Sequence, residues 1–136
     1  YIGANCGIGP AELLHSVSTI LVDAKVPVIA KGNCGIPAYV DGAIHYHGTP
    51  ELMGAYACLA RDAGVTIIGG CCGTTEVHVR VMRTALESMP RRPFDQEAAD
   101  AALGFAWKDV PTPDNAGDTK QSTGRRRGRR RDRDRG

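Results

Sequence analysis

Aromatic side chains are scarce in this 136-residue chain: two Phe, one Trp and four Tyr, 5% of the total. None interleaves with the basic run near the C-terminus, so the stacking platform that single-stranded nucleic acid requires is missing there. No aromatic cage for a quaternary ammonium ligand can be read from the pattern either. Long apolar runs are also lacking, because Gly, Asp or Lys interrupts each one, and there is no secretory leader pattern. The default expectation is a cytoplasmic protein that engages no membrane. An initiating Met is missing too: the chain opens at Tyr1 directly on a strand-like segment, which predicts that an N-terminal part of a larger protein precedes it. The five cysteines (Cys6, Cys34, Cys58, Cys71, Cys72) are odd in number and lack a secretory context. That argues against a disulfide framework and for metal binding or buried free thiols.

The formal net charge of +2 is the sum of two unlike regions. Residues 1–119 hold 8 Lys/Arg against 13 Asp/Glu, whereas residues 120–136 hold 9 Lys/Arg against 2 Asp. The basic balance therefore belongs to a tail rather than to a folded surface. From Pro111 the sequence turns to Pro, Asp, Gly, Ser and Thr and ends in an Arg-rich run from Arg125 to Arg131. Residues 111–136 have too little apolar surface to offset the entropy of ordering and are expected to be disordered, with weak polyanion binding at most.

Three similar units precede that tail, each a short apolar strand, a Gly-rich turn and an amphipathic helix. The first enters on residues 1–6, turns at Gly7 and Gly9, and continues from Pro10 as a helix with Leu13, Leu14, Val17, Ile20, Leu21 and Ala24 on one face. The second has a strand over 26–30, then a long loop carrying Tyr39, Asp41, His45 and His47. Its helix is capped by Thr49, opened by Pro50 and stopped by Gly64, with Leu52, Met53, Tyr56, Leu59, Ala60 and Ala63 inward. The third runs from a strand over 65–68 through Gly69-Gly70-Cys71-Cys72-Gly73 to a helix capped by Thr74 or Thr75. Strands apolar at nearly every position predict a parallel sheet covered on both faces, and the alternation predicts βαβ units. The three units are too few to close an eight-stranded barrel of roughly 250 residues. A further short helix over 95–107, with Ala98, Ala102, Phe105 and Trp107 inward, is expected before the tail.

Cys6 falls at the C-terminal end of the first strand and Cys71-Cys72 at that of the third. In a parallel α/β sheet these ends share one face, where active sites form, so residues far apart in sequence can meet on one metal ion. Three thiolates leave a fourth tetrahedral position open, the pattern of a catalytic zinc rather than a closed structural one. Cys34 and Cys58 are expected to be buried free thiols.

The segments Gly3-Ala4-Asn5-Cys6 and Gly69-Gly70-Cys71-Cys72-Gly73-Thr74-Thr75 resemble the two zinc motifs of the homocysteine S-methyltransferase family. The resemblance continues through Lys31-Gly32-Asn33-Cys34-Gly35-Ile36-Pro37 and Tyr39-Val40-Asp41-Gly42, covering roughly residues 1–90. It implies the C-terminal part, the last three βα units, of a (β/α)8 barrel. It also implies Zn2+ as cofactor, with Cys6, Cys71 and Cys72 as ligands and Asn33 as a displaceable occupant of the open position. The activity implied is methyl transfer to the thiol of homocysteine, giving methionine, with betaine or a folate/cobalamin system as the methyl source. Another thiol acceptor on the same fold, or an inactive fragment whose basic tail binds polyanions, are the alternatives; an oligomer is left open. His45 and His47 lack a carboxylate or Cys partner for a second metal site, and His15 and His78 read as ordinary helix residues.

Overall fold

The computed structural model describes residues 1–35 and 37–104. The elements run β1 (Ile2–Cys6), α1 (Pro10–Asp23), β2 (Val28–Gly32), β3 (Pro37–Val40), β4 (Ala43–Tyr46), α2 (Pro50–Ala63), β5 (Ile67–Gly70), α3 (Glu76–Ser88) and α4 (Gln96–Leu103). Strands β1, β2 and β5 form a parallel sheet in that order, with Cys6 level with Gly32 and Gly32 level with Gly70. The fold is thus mixed α/β, with a parallel sheet and helices.

Local chemistry explains where the helices begin and end. Pro10 opens α1, where its missing N–H is no loss. Thr49 caps α2 by accepting from the Leu52 N–H at 3.2 Å, and Gly64 closes the helix in the left-handed conformation. The Val65 N–H is used in that closure, bonding Ala60 O at 3.0 Å. Sheet hydrogen bonding therefore starts at Thr66, whose N–H bonds Val28 O at 2.9 Å, and β5 begins at Ile67.

Helices α1 and α2 supply the core: Leu13, Leu14, Val17, Met53, Tyr56 and Ala60 pack on Val28 and Ala30 of the sheet. Among the described residues the helices cover one sheet face only, not the two expected. On the uncovered face Ile67 stays about half exposed, and Lys31 is exposed on the central strand. Gly54 of α2 lets α3 approach closely, since a Cβ there would lie 3.1 Å from Val81 Cγ1.

Two further expectations need correction. The long loop of the second unit is instead a β-hairpin, β3 paired with β4 from Pro37↔Tyr46 to Val40↔Ala43. Its turn is Asp41-Gly42, both with positive φ (50° and 81°), as a two-residue hairpin of this kind demands. The terminal helix exists, capped by Asp95, but its inward face is Ala99 and Leu103, while Ala98 and Ala102 are exposed. Phe105, Trp107 and the Arg-rich tail of 111–136 lie outside the described residues. No described helix is long and apolar enough to cross a membrane.

Candidate metal centre

The parallel register sets Cys6, Gly32 and Gly70 side by side at the C-terminal edge of the sheet. Cys6 is the last residue of β1, with φ at 72°, a conformation costing a non-glycine residue on the order of 1–2 kcal/mol. Its surroundings hold it there. The Asn33 Nδ2 donates to Gly7 O at 2.6 Å, and the Ile8 N–H donates to the Glu12 carboxylate at 2.6 Å. Both bonds fix the turn that follows Cys6, so the strain at that residue is balanced by the loop around it.

The vicinal pair is aimed differently. The Cys71 N–H still bonds Gly32 O at 2.8 Å, extending the sheet by one residue. The chain then folds back in a tight turn closed by Thr74 N–H to Cys71 O at 3.1 Å. Gly73, with φ at 74°, takes the turn position that needs a left-handed residue. This turn, rather than general freedom of the glycine run, keeps Cys72 from pointing away from Cys71 as it would in an extended strand. Gly70 serves a separate purpose: the Thr74 side chain sits against its α-carbon where any Cβ would collide.

As a result the three sulfurs meet. Cys6 Sγ lies 3.8 Å from Cys72 Sγ, Cys71 Sγ lies 3.9 Å from Cys72 Sγ, and all three fall within 4.8 Å of one another. All five cysteines are free thiols. Tetrahedral zinc with bonds of about 2.3 Å to sulfur has S···S edges of about 3.8 Å, so the spacing and the soft donor set suit that ion. Among the described residues no other set of three His, Cys, Asp or Glu side chains lies close enough to share a metal.

The thiols perturb one another. Hydrogen bonds with Cys72 and Cys71 push the Cys6 thiol above its ordinary value. Partial burial pushes Cys71 up, but hydrogen bonds from the Cys72 backbone and from the side chains of Cys72, Cys6 and Asn5 outweigh it and hold that thiol low. Asn33 is buried, and its Oδ1 has no hydrogen-bond partner among the described residues. Cys34 is buried against Thr74 Oγ1 at 3.5 Å, and Cys58 is half-buried with its thiol pushed up by that burial.

Three residues to which the motifs gave no role also matter here. Asn5 Nδ2 reaches Cys71 Sγ at 4.0 Å. Tyr46, at the end of β4, lays its ring over the α-carbon of Gly73, and burial followed by the nearby Cys72 pushes its phenol above the ordinary value. His78 is more than an ordinary helix residue: its Nδ1 lies 3.1 Å from the Thr75 N–H and its Nε2 lies 3.2 Å from Gly48 O. It ties the start of α3 to the start of α2. The Asp41-Gly42 turn was the sequence signal that would have found Tyr46, because a hairpin folds residue 46 back toward the strand ends. His45 and His47 are both exposed and join no cluster.

The model of the homocysteine S-methyltransferase family matches residues 1–86, which hold all three clustered cysteines. The chain belongs to this family. Methionine synthase of Mycobacterium tuberculosis is 31% identical over 116 residues, 85% of this chain and 10% of that protein. Methionine synthase of Mycobacterium leprae is 36% identical over 86 residues, 62% of this chain and 7% of that protein. This family member thus spans about a tenth of the length of the curated relatives it matches.

Proposed function

We propose that this chain forms the zinc-binding part of an enzyme that transfers a methyl group to the thiol of homocysteine, giving methionine. The observation that carries the reading is the gathering within 4.8 Å of three sulfurs at two strand ends, Cys6 and Cys72 among them lying 66 positions apart. Cys6, Cys71 and Cys72 hold Zn2+ in this reading and leave its fourth position to an incoming thiol. Bound zinc supplies the charge that keeps a substrate thiol deprotonated at neutral pH, where a free thiol of pKa about 8.5 is mostly protonated. Asn33 is the displaceable occupant of that position, a role that suits a buried carboxamide oxygen without a partner. The same side chain clamps Gly7 and so keeps Cys6 in its left-handed turn.

In the architecture that accompanies this reading, residues 1–90 are the last three βα units of a (β/α)8 barrel and residues 91–110 its terminal helical segment. The one-sided helix layer and the half-exposed Ile67 support it, since inward-facing strand positions of a barrel are covered only by other strands. Homocysteine as acceptor rests on membership of the family. Metal analysis of the full chain tests the proposal. One zinc per chain, released with thiol-blocking reagents, is expected; a well-folded, zinc-free protein with three freely reactive site cysteines would overturn it.

A further inference from the structure

Three protein sulfurs and one substrate sulfur around a single ion present a problem of selectivity. An electrophilic methyl group can form its new S–C bond with any of the four, while its old bond breaks and the electron pair stays on the donor. Transfer to a cysteine would convert a ligand to a thioether and disable the site. Something must make the protein sulfurs poorer nucleophiles than the substrate's.

Asn5 and Tyr46 are placed to do this. Asn5 stands on β1, one residue before Cys6, yet its Nδ2 is directed to Cys71 Sγ at 4.0 Å, across to the end of β5. Tyr46 arrives from the hairpin. Its strand pairs with β3, and its ring rests on Gly73, where no side chain could be accommodated, which places it beside Cys72. Both are neutral donors, so they engage sulfur lone pairs without altering the charge of the site. Each serves a different member of the vicinal pair.

We propose that Asn5 and Tyr46 are positioning residues that donate hydrogen bonds to the Cys71 and Cys72 thiolates, leaving the incoming substrate thiolate the more nucleophilic sulfur. The inference rests on the zinc reading above and extends it from the ligands to the groups that hold them. A hydrogen bond lowers the energy of a sulfur lone pair, and it also fixes the direction in which that sulfur faces the metal.

Cobalt(II) loaded into the full chain in place of zinc provides the test, because its thiolate charge-transfer bands report lone-pair energy directly. Asn5→Ala and Tyr46→Phe should each move the bands to longer wavelength. Each should also weaken zinc, measured by chelator competition, by about tenfold. Iodoacetamide should alkylate the zinc-loaded variants faster than the zinc-loaded parent chain. Tyr39→Phe, at an exposed tyrosine on the neighbouring strand, should change none of these. Tyr46→Phe keeps the ring on Gly73; should it nevertheless lose its circular dichroism signal, Asn5→Ala, at an exposed side chain, decides the matter. Bands unmoved in the folded variants would overturn the inference. A parent chain that gives no thiolate–cobalt bands would overturn the zinc reading instead.

Discussion

Cys6 and Cys72 are separated by 66 positions in the chain, yet their sulfurs stand 3.8 Å apart. Parallel pairing of β1, β2 and β5 brings the strand ends level, and two left-handed residues, Cys6 and Gly73, turn the thiols toward each other. Each of these parts can be tested separately.

Removing one sulfur should remove the metal. Cys6→Ser, Cys71→Ser and Cys72→Ser are each expected to reduce zinc from one equivalent per chain to a small fraction, by elemental analysis after dialysis. Cys58→Ser, outside the cluster, should retain the full equivalent. Retention of zinc by all three site variants would refute the ligand set.

Without metal, the thiols should differ in reactivity. Cys71 is held low and Cys6 is pushed up, so at a pH slightly below the ordinary thiol range Cys71 carries more thiolate than Cys6. Since the thiolate is the reacting form, limiting iodoacetamide should label Cys71 before Cys6, read by peptide mass spectrometry. The order should fade as the pH rises above both values. Equal labelling at every pH would contradict the hydrogen-bond pattern at the cluster.

Gly73→Ala should damage the site more than the fold. The substitution forces a side chain into a left-handed residue, at a cost of about 1–2 kcal/mol, and drives its Cβ into the Tyr46 ring. Zinc affinity should fall by at least tenfold, while the circular dichroism of the helices is preserved. Unchanged affinity would show that the turn tolerates another shape.

Leu14→Ala probes the core beneath the site. Leu14 is completely buried between α1 and the sheet. Its truncation should cost about 3 kcal/mol in a denaturant titration of the folded protein. Val22→Ala, at a position 79% exposed, should change stability by less than about 0.5 kcal/mol.

Much of this was legible in the residues themselves. Thr49, Pro50 and Gly64 marked the limits of α2 because caps act through local hydrogen bonds and backbone geometry. Strand-end placement of Cys6, Cys71 and Cys72 followed from the alternation of elements. Other features depended on non-local competition. The start of β5 was displaced because helix closure took the Val65 N–H. The face of α4 was offset by one residue because an alanine-rich segment, with Ala98, Ala99, Ala101 and Ala102 in sequence, fits more than one apolar stripe. Tyr46 was passed over between two histidines that read as loop residues lacking a partner for a metal, although Asp41-Gly42 carried the hairpin signal. The left-handed backbone of Cys6 had no signature at all, since that strain is imposed by Asn33 and Glu12 from elsewhere in the fold.

The ribbon formed by β3 and β4 divides into parts with unequal freedom to change. Nothing lies within 4 Å of a Cβ built on Gly42, so its tip can lengthen or shorten at little cost to the rest of the molecule. Its base cannot, because Pro37 opposite Tyr46 determines which side of the ribbon the phenol occupies. Adding a single residue to one arm would swing that phenol to the far side, whereas adding a facing pair would leave it where it is. Length variation among natural relatives should therefore come in matched pairs.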